Sequence, residues 1–392
     1  MHFLYIHVKD SSYDILWTLI EMNKTVSMYE ECEFDPNQPV EKEFDKLEKF
    51  LLSNDFNCLI SYLFIPEVSD LCEKYGYKYI GWVYDSPLVS LFRPSVRNSC
   101  NYLFIFDRAE YEHMLTWDIP HLYYLPMATN TSRTGALDIT PEDEQNYTCD
   151  ISFVGSLYEN NLYDKIIHSL PEDIAAELKL YLMHNLCSWS ETKPWPIVSQ
   201  NVKNYMIQTF HANEWSCGPM DLDLYLGILL LSRKLAEMDR ITVLNTLAEQ
   251  FSIRLYTNSD PDIQKFLQNV LIYKGVNYST DMNKVFYLSK INLNITLPSI
   301  ETGLPQRIFD IMGAGGFVLT NYQQEIDDYF VVGKEIEVFH NLDELIEKTS
   351  YYLSHEQERL KIALNGYQKV RENFSYLKQM KKILSIVGED DL

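Results

Sequence analysis

Residues 297–320 gather side chains able to hold an anion and a polyhydroxyl group. The run Glu301-Thr302-Gly303-Leu304-Pro305-Gln306-Arg307-Ile308-Phe309-Asp310 follows an apolar, strand-like segment and opens a helix-like one. In an open parallel sheet, ligands bind beyond the carboxyl ends of the strands, where such a turn lies. Pro305 suits a first helical turn, where its missing N–H costs little. The free N–H groups of a helix start attract an anion, and Gly303 lets backbone approach it closely. Arg307 can add a guanidinium to a phosphate, bidentately. A cation at a helix start opposes the helix dipole, and an anionic ligand would explain it. Asp310, one turn on, can accept hydrogen bonds from two vicinal ribose hydroxyls. Each residue also has an ordinary reading. Asp310 could be a helix-surface carboxylate and Arg307 half of a surface salt bridge. Gly313, Gly315 and Gly316 fit best as the turn from helix to strand.

Other residues could join this chemistry. Gly155 and Ser156 end a strand-like segment, where a diphosphate could approach, although they could equally just terminate it. Lys274 precedes Gly275 after another such segment, and could point to the ligand or into solvent. Asp85 follows the segment 79–84 and is the candidate base for an acceptor hydroxyl, with an Asx-turn as its ordinary role. Glu301 would lie near a transferred sugar. His121 reads as structural. Trp189, Trp195 and Trp215 fit core or lid packing better than sugar stacking. Asp221-Leu222-Asp223 has the letters of a metal-binding Asp-x-Asp, yet it opens an apolar helix and reads as helix-start acid. No essential metal is expected.

These residues need a scaffold, and the periodicity supplies one. Strand-like segments at 3–8, 58–64, 79–84, 103–106 and 122–125 alternate with helix-like ones at 12–22, 41–52, 66–75 and 108–115. Alternation of this kind means a parallel sheet with helical crossovers. Residues 136–148 have a polar, linker-like composition. Strand-like segments resume at 149–154, 253–256, 271–273, 292–296 and 317–320, with a short one near Glu337. Helix-like segments lie between them at 262–268, 282–289 and 306–312, and the end from 342 to 386 is helical. Residues 171–250 read as a mostly helical insertion.

The segment 297–320 resembles the donor-nucleotide motif of GT-B glycosyltransferases, most closely the CgeB-like (spore maturation protein) branch. That motif runs from an acidic residue through Gly-Leu-Pro to a helix with a second acidic residue, then a small-residue turn and a Val-Leu-Thr strand. The stretches Asp150-Ile151-Ser152-Phe153-Val154-Gly155-Ser156, Trp82-Val83-Tyr84-Asp85-Ser86-Pro87, Tyr124-Leu125-Pro126-Met127 and Tyr273-Lys274-Gly275-Val276 are similar to other landmarks of the family. The resemblance implies an α/β GT-B fold of two Rossmann-like domains facing a cleft. The expected division is 1–135 on the acceptor side, a linker at 136–148, and 149–374 on the donor side. Residues 375–392 would form a helix packing back on the first domain. By the same resemblance Asp310 holds the ribose of a nucleotide-sugar, Arg307 faces its diphosphate and Glu301 lies near its sugar. Two features differ from the family pattern. Eight residues separate Glu301 from Asp310, where retaining members commonly space two glutamates by seven. The basic pair that often follows Gly155 is absent.

Composition limits the remaining possibilities. The 392 residues suit two domains, and 46% of them are apolar, enough for two cores. The net charge of −23 repels nucleic acid and anionic membranes, so any phosphorylated substrate needs local positive charge. Seven scattered cysteines suggest reduced thiols rather than a disulfide framework. No apolar run is long enough to span a bilayer, and the start lacks a basic leader, so a cytoplasmic location is expected. The expected donor is a UDP-sugar, UDP-GlcNAc or UDP-glucose, used as substrate with no further cofactor. The resemblance implies hexosyl or N-acetylhexosaminyl transfer to a protein or cell-surface glycan. The alternatives are a sugar-nucleotide epimerase or phosphorylase on the same fold, or a non-catalytic assembly protein that kept it.

Overall fold

The computed structural model describes residues 2–8, 11–30, 40–135, 137–189, 200, 202, 204 and 222–388. By compactness the chain divides after Asn130; Phe374 onward belongs with the first unit, and the described residues between form the second.

The first unit is a six-stranded parallel sheet. Its strands are β1 (His2–Ile6), β2 (Thr25–Tyr29), β3 (Cys58–Tyr62), β4 (Lys78–Val83), β5 (Asn101–Ile105) and β6 (Leu122–Tyr124), in the order β2-β1-β3-β4-β5-β6. The registers align Phe3 with Cys58 and Ile60 with Ile80. Parallel strands are covered on both faces, so they read as unbroken apolar runs; every residue of β3 is buried. Helix Pro66–Tyr75 starts on proline and ends on Gly76 at φ 76°, a left-handed cap that glycine adopts freely. The last helix, Tyr376–Val387, lays Tyr376, Met380, Ile383 and Leu384 on the core built around Tyr5, Ile60 and Trp82. One strand is not visible in the periodicity. β2 is an edge strand with one buried residue, so it lacks the apolar run of its neighbours.

The second unit repeats the architecture. Its strands are β7 (Cys149–Val154), β8 (Ile253–Thr257), β9 (Leu271–Lys274), β10 (Ser289–Asn294), β11 (Val318–Asn321) and β12 (Glu337–Phe339). Their order is β12-β11-β10-β7-β8-β9. Its core gathers Ile151, Phe153, Leu255, Ile291, Leu293 and Leu319 with Val243 and Leu247 of the long helix Leu222–Ala248. Trp189 is buried in this core, edge-on to Phe339 at 5.0 Å; Trp195, Trp215 and Asp221 lie outside the described residues.

The stretch 136–148, polar enough to read as a linker, contains helix Pro141–Tyr147. Its polar residues are capping chemistry: Thr140 and Asp143 bond reciprocally, and Asp143 also pairs with Lys284 at 2.9 Å. The five described cysteines are free thiols. No helix among the described residues is long and apolar enough to cross a membrane.

Candidate functional site

In a doubly wound sheet the crevice opens where the chain reverses direction across the sheet. In the second unit that point lies between β7, which continues to β8 and β9 on one side, and β10, which continues to β11 and β12 on the other. Arg240, from inside helix Leu222–Ala248, spans the carboxyl ends of these two strands. Its Nη1 donates to Ser156 O at 2.5 Å and its Nη2 to Ile295 O at 3.0 Å. The guanidinium lies over the rings of Tyr158 and Phe153, 4.3 and 5.3 Å from their centroids. Arg240 is buried, and its Nε has no hydrogen-bond partner among the described residues. Both bonds end on neutral carbonyls, and among the described residues Arg240 makes no ion pair. The turn beneath it is tightly folded: Tyr158 and Asn160 take left-handed φ values of 62° and 59°.

A second guanidinium converges on the same end of the sheet. Helix Gln306–Gly313 starts one residue after Pro305, which takes the N-cap position. Arg307 is its second residue; it donates to Met282 Sδ and lies 5.4 Å from the Phe286 centroid. Burial draws this guanidinium below its ordinary value, and repulsion from Arg240 adds to the effect while Asp310 and Tyr278 oppose it. Two like charges within reach of each other, in a chain of net charge −23, form a local positive centre.

The loop before that helix is braced from the segment that follows β11. Gln323 Nε2 donates to Ile300 O and Gly303 O at 3.0 and 3.3 Å. Thr302 Oγ1 donates to Glu325 Oε1 at 2.8 Å, and Glu325 N returns a bond to Thr302 O. Deeper, Asn294 Nδ2 donates to Thr320 Oγ1 at 2.9 Å, and Thr296 N to Asn321 Oδ1 at 2.7 Å. These buried bonds fix where Glu301 and Gly303 sit.

Asp310 is 1% exposed and meets Arg133 Nη2 at 3.3 Å. Arg133 comes from helix Thr131–Gly135, also donates to Asn283 Oδ1 and to Tyr278 OH and O, and stacks 4.1 Å from the Tyr278 centroid. Gln306 Nε2 donates to Tyr278 OH at 2.7 Å, closing the ring of contacts back onto the helix of Asp310.

Residues 240–385 match a protein family described as glycosyl transferase-like. The match begins at Arg240 and includes Arg307 and Asp310. No curated protein sequence matches the chain. Among solved structures, Anabaena HepE in complex with UDP-glucose is similar at a TM-score of 0.59, with 10% identity over 100% of both chains. Sucrose-phosphate synthase from Thermosynechococcus elongatus has a TM-score of 0.55, with 10% identity over 99% of both chains. The T4 phage enzyme BGT, in complex with its UDP-glucose substrate, has a TM-score of 0.51, with 11% identity over 100% of both chains. The fold is GT-B.

Within this GT-B fold, Gly155, Ser156, Gly303, Arg307 and Asp310 lie on the loops and helix at the carboxyl ends of β7 and β10. Glu301 is half-buried in the braced loop. Lys274 is elsewhere: it is exposed at the end of β9, the edge strand, with β7 and β8 between it and β10. The glycine of the same motif has a packing role, because a Cβ on Gly275 would sit 2.7 Å from the Asn258 side chain. Asp85 is exposed in the first unit, just past β4. At the carboxyl end of β3 in that unit, Tyr62 OH accepts from Ile15 N at 3.1 Å and donates to Tyr376 OH.

Sequence reasoning missed Arg240, Arg133 and Tyr278. Arg240 is carried by the long helix, 84 residues from Ser156, so sequence distance hid it. Its neighbours Glu237 and Asp239 are charged as well, so local composition gave Arg240 no distinguishing signal. Arg133 lay in what read as the end of the first domain.

Proposed function

We propose that the chain is a glycosyltransferase that takes its sugar from a UDP-sugar, UDP-glucose or UDP-GlcNAc, without requiring a metal ion. The observation that carries this reading is the pair Arg240 and Arg307, converging at the switch point of the second sheet in a strongly acidic chain. The donor's diphosphate is a dianion that gains a further negative charge as the glycosidic bond breaks, and preorganised guanidiniums stabilise that developing charge. The backbone of Gly155 and Ser156 would approach the diphosphate, and Arg240, by pinning Ser156 O and Ile295 O, would hold both walls of that approach. Asp310 is the candidate for the ribose hydroxyls, oriented by Arg133; because it is buried, the side chains over it must part to admit the nucleoside. Glu301 would lie near the sugar. Asp85 is the candidate base for an acceptor hydroxyl. The family match and the UDP complexes of similar folds support the donor class. We further propose a CgeB-like branch, a protein or cell-surface glycan acceptor and a cytoplasmic location.

Calorimetry with UDP, GDP, TDP and their common sugars tests the donor, in buffer with and without EDTA. UDP-sugar binding that survives EDTA and is lost in Asp310→Ala is expected. Failure of every nucleotide to bind would sink the transferase reading in favour of an assembly protein.

A further inference from the structure

The carboxyl ends of β4 and β5 in the first unit carry a buried cluster of one hydroxyl and two carboxyl groups. Ser86, three residues past β4, is buried, and its Oγ donates to Asp107 Oδ2 at 3.1 Å. Asp107 is wholly buried, caps helix Arg108–Met114, and accepts from Ala109 N at 3.2 Å through Oδ1. Glu110, on the first turn of that helix, is 8% exposed and faces the Ser86 hydroxyl and the Leu88 N–H. Its Oε2 has no hydrogen-bond partner among the described residues. The charged groups that face it are Asp107, from the helix cap, and Asp85, from the turn after β4.

A serine hydroxyl has one hydrogen. Ser86 therefore cannot donate to Asp107 and to Glu110 at once, and one of the two carboxyl groups must meet it through a hydrogen of its own. A carboxylate at Glu110 would be a buried anion with an unbonded oxygen beside a second anion, which is the costly arrangement. We propose that Glu110 is held as the neutral acid and acts as the positioning residue of turn 85–88. Its O–H donates to Ser86 Oγ, Ser86 donates to Asp107, and Leu88 N–H donates back to Glu110. The turn so fixed carries Asp85, and its use in sugar transfer rests on the reading proposed above. Burial first, and then the Asp107 charge, push the Glu110 carboxyl up to about 8, so this hydrogen-bond chain opens only in alkaline solution.

Infrared titration of the full-length protein tests this directly. A protonated carboxyl band is expected at pH 7, absent from Glu110→Gln and titrating near pH 8. Its midpoint should fall in Asp107→Asn, and by less in Asp85→Asn, whose site is exposed and whose fold is not at stake. The pH dependence of unfolding gives a second readout. An acid raised in the folded state costs stability as pH climbs from its ordinary 4.5 to about 8, with no further loss above. Glu110→Gln keeps a donor for Ser86 and should abolish that slope while retaining the fold; Glu110→Ala should not restore the turn. An ionised Glu110 at pH 7, or equal slopes in wild type and Glu110→Gln, would overturn the proposal. Failure to transfer sugar would count against the transferase reading alone.

Discussion

Arg133 and Asp310 form a buried ion pair, with Nη2 3.3 Å from Oδ1 and side chains 6% and 2% exposed. Removing one partner leaves the other charge buried without this ion pair. Arg133→Met should therefore destabilise the second unit by about 3–5 kcal/mol. The double variant Arg133→Met/Asp310→Leu should lose less than the two single losses combined, because no stranded charge remains. Urea unfolding of the four proteins measures the coupling; strict additivity would mean the pair does not act as one.

Arg240 should matter to the diphosphate and not to the base. Lysine keeps the charge but cannot donate to Ser156 O and Ile295 O at once. With the guanidinium no longer held in place, loss of one charge-assisted bond to the diphosphate, about 1.5–3 kcal/mol, corresponds to a fall in UDP affinity of roughly 10- to 150-fold. Uridine, which lacks phosphates, should bind wild type and Arg240→Lys alike. Equal losses for both ligands in calorimetry would show Arg240 to be purely structural.

The contrast between Arg307 and Arg240 explains what a sequence can disclose about such a site. Arg307 and Asp310 share one short helix with Gly303 and Pro305 just before it, so local spacing brings them together. Helix Pro66–Tyr75 and strand β7 were legible to the residue for the same reason, with proline, glycine and apolar runs marking their ends. Arg240 and Ser156 are bonded across 84 residues, and only the sheet order makes them neighbours. Lys274 shows the converse. It has the right local signal, a cation after a strand, but its strand is at the sheet edge, and strand order is not written in local periodicity.

The glycine turn after the Asp310 helix should be sensitive at two positions for different reasons. Gly315 has φ 82°, where a side chain costs about 1–2 kcal/mol. Gly316 has no such strain, but a Cβ would lie 2.6 Å from Phe286 O and 2.7 Å from Asn292 Nδ2. Asn292 is itself tied to Ser152 Oγ at 2.9 Å and cannot easily withdraw. Gly316→Ala should cost about 1–3 kcal/mol through overpacking. Thermal unfolding of both variants is the check, and a neutral Gly316→Ala would mean that Phe286 and Asn292 yield.

Acid should loosen the second unit through Glu344. Burial alone would raise its carboxyl, but bonds from Lys348, from the His340 N–H at 2.7 Å and from the His340 ring at 2.9 Å outweigh burial and bring it down to about 2. Its backbone N–H is held by Asn341 Oδ1 at 2.9 Å, so the group anchors the start of helix Leu342–Ser354. A carboxylate depressed in the folded state contributes stability above its ordinary value of 4.5 and loses it as pH falls toward 2. The side chain is 26% exposed, so solvent screens part of the effect, and about 1–3 kcal/mol is expected. Glu344→Gln should lower stability at pH 7 by that amount and flatten the decline between pH 4.5 and 2. Chemical denaturation at stepped pH separates the two consequences: a parallel curve for the variant would show that other carboxylates, not Glu344, govern the acid limb.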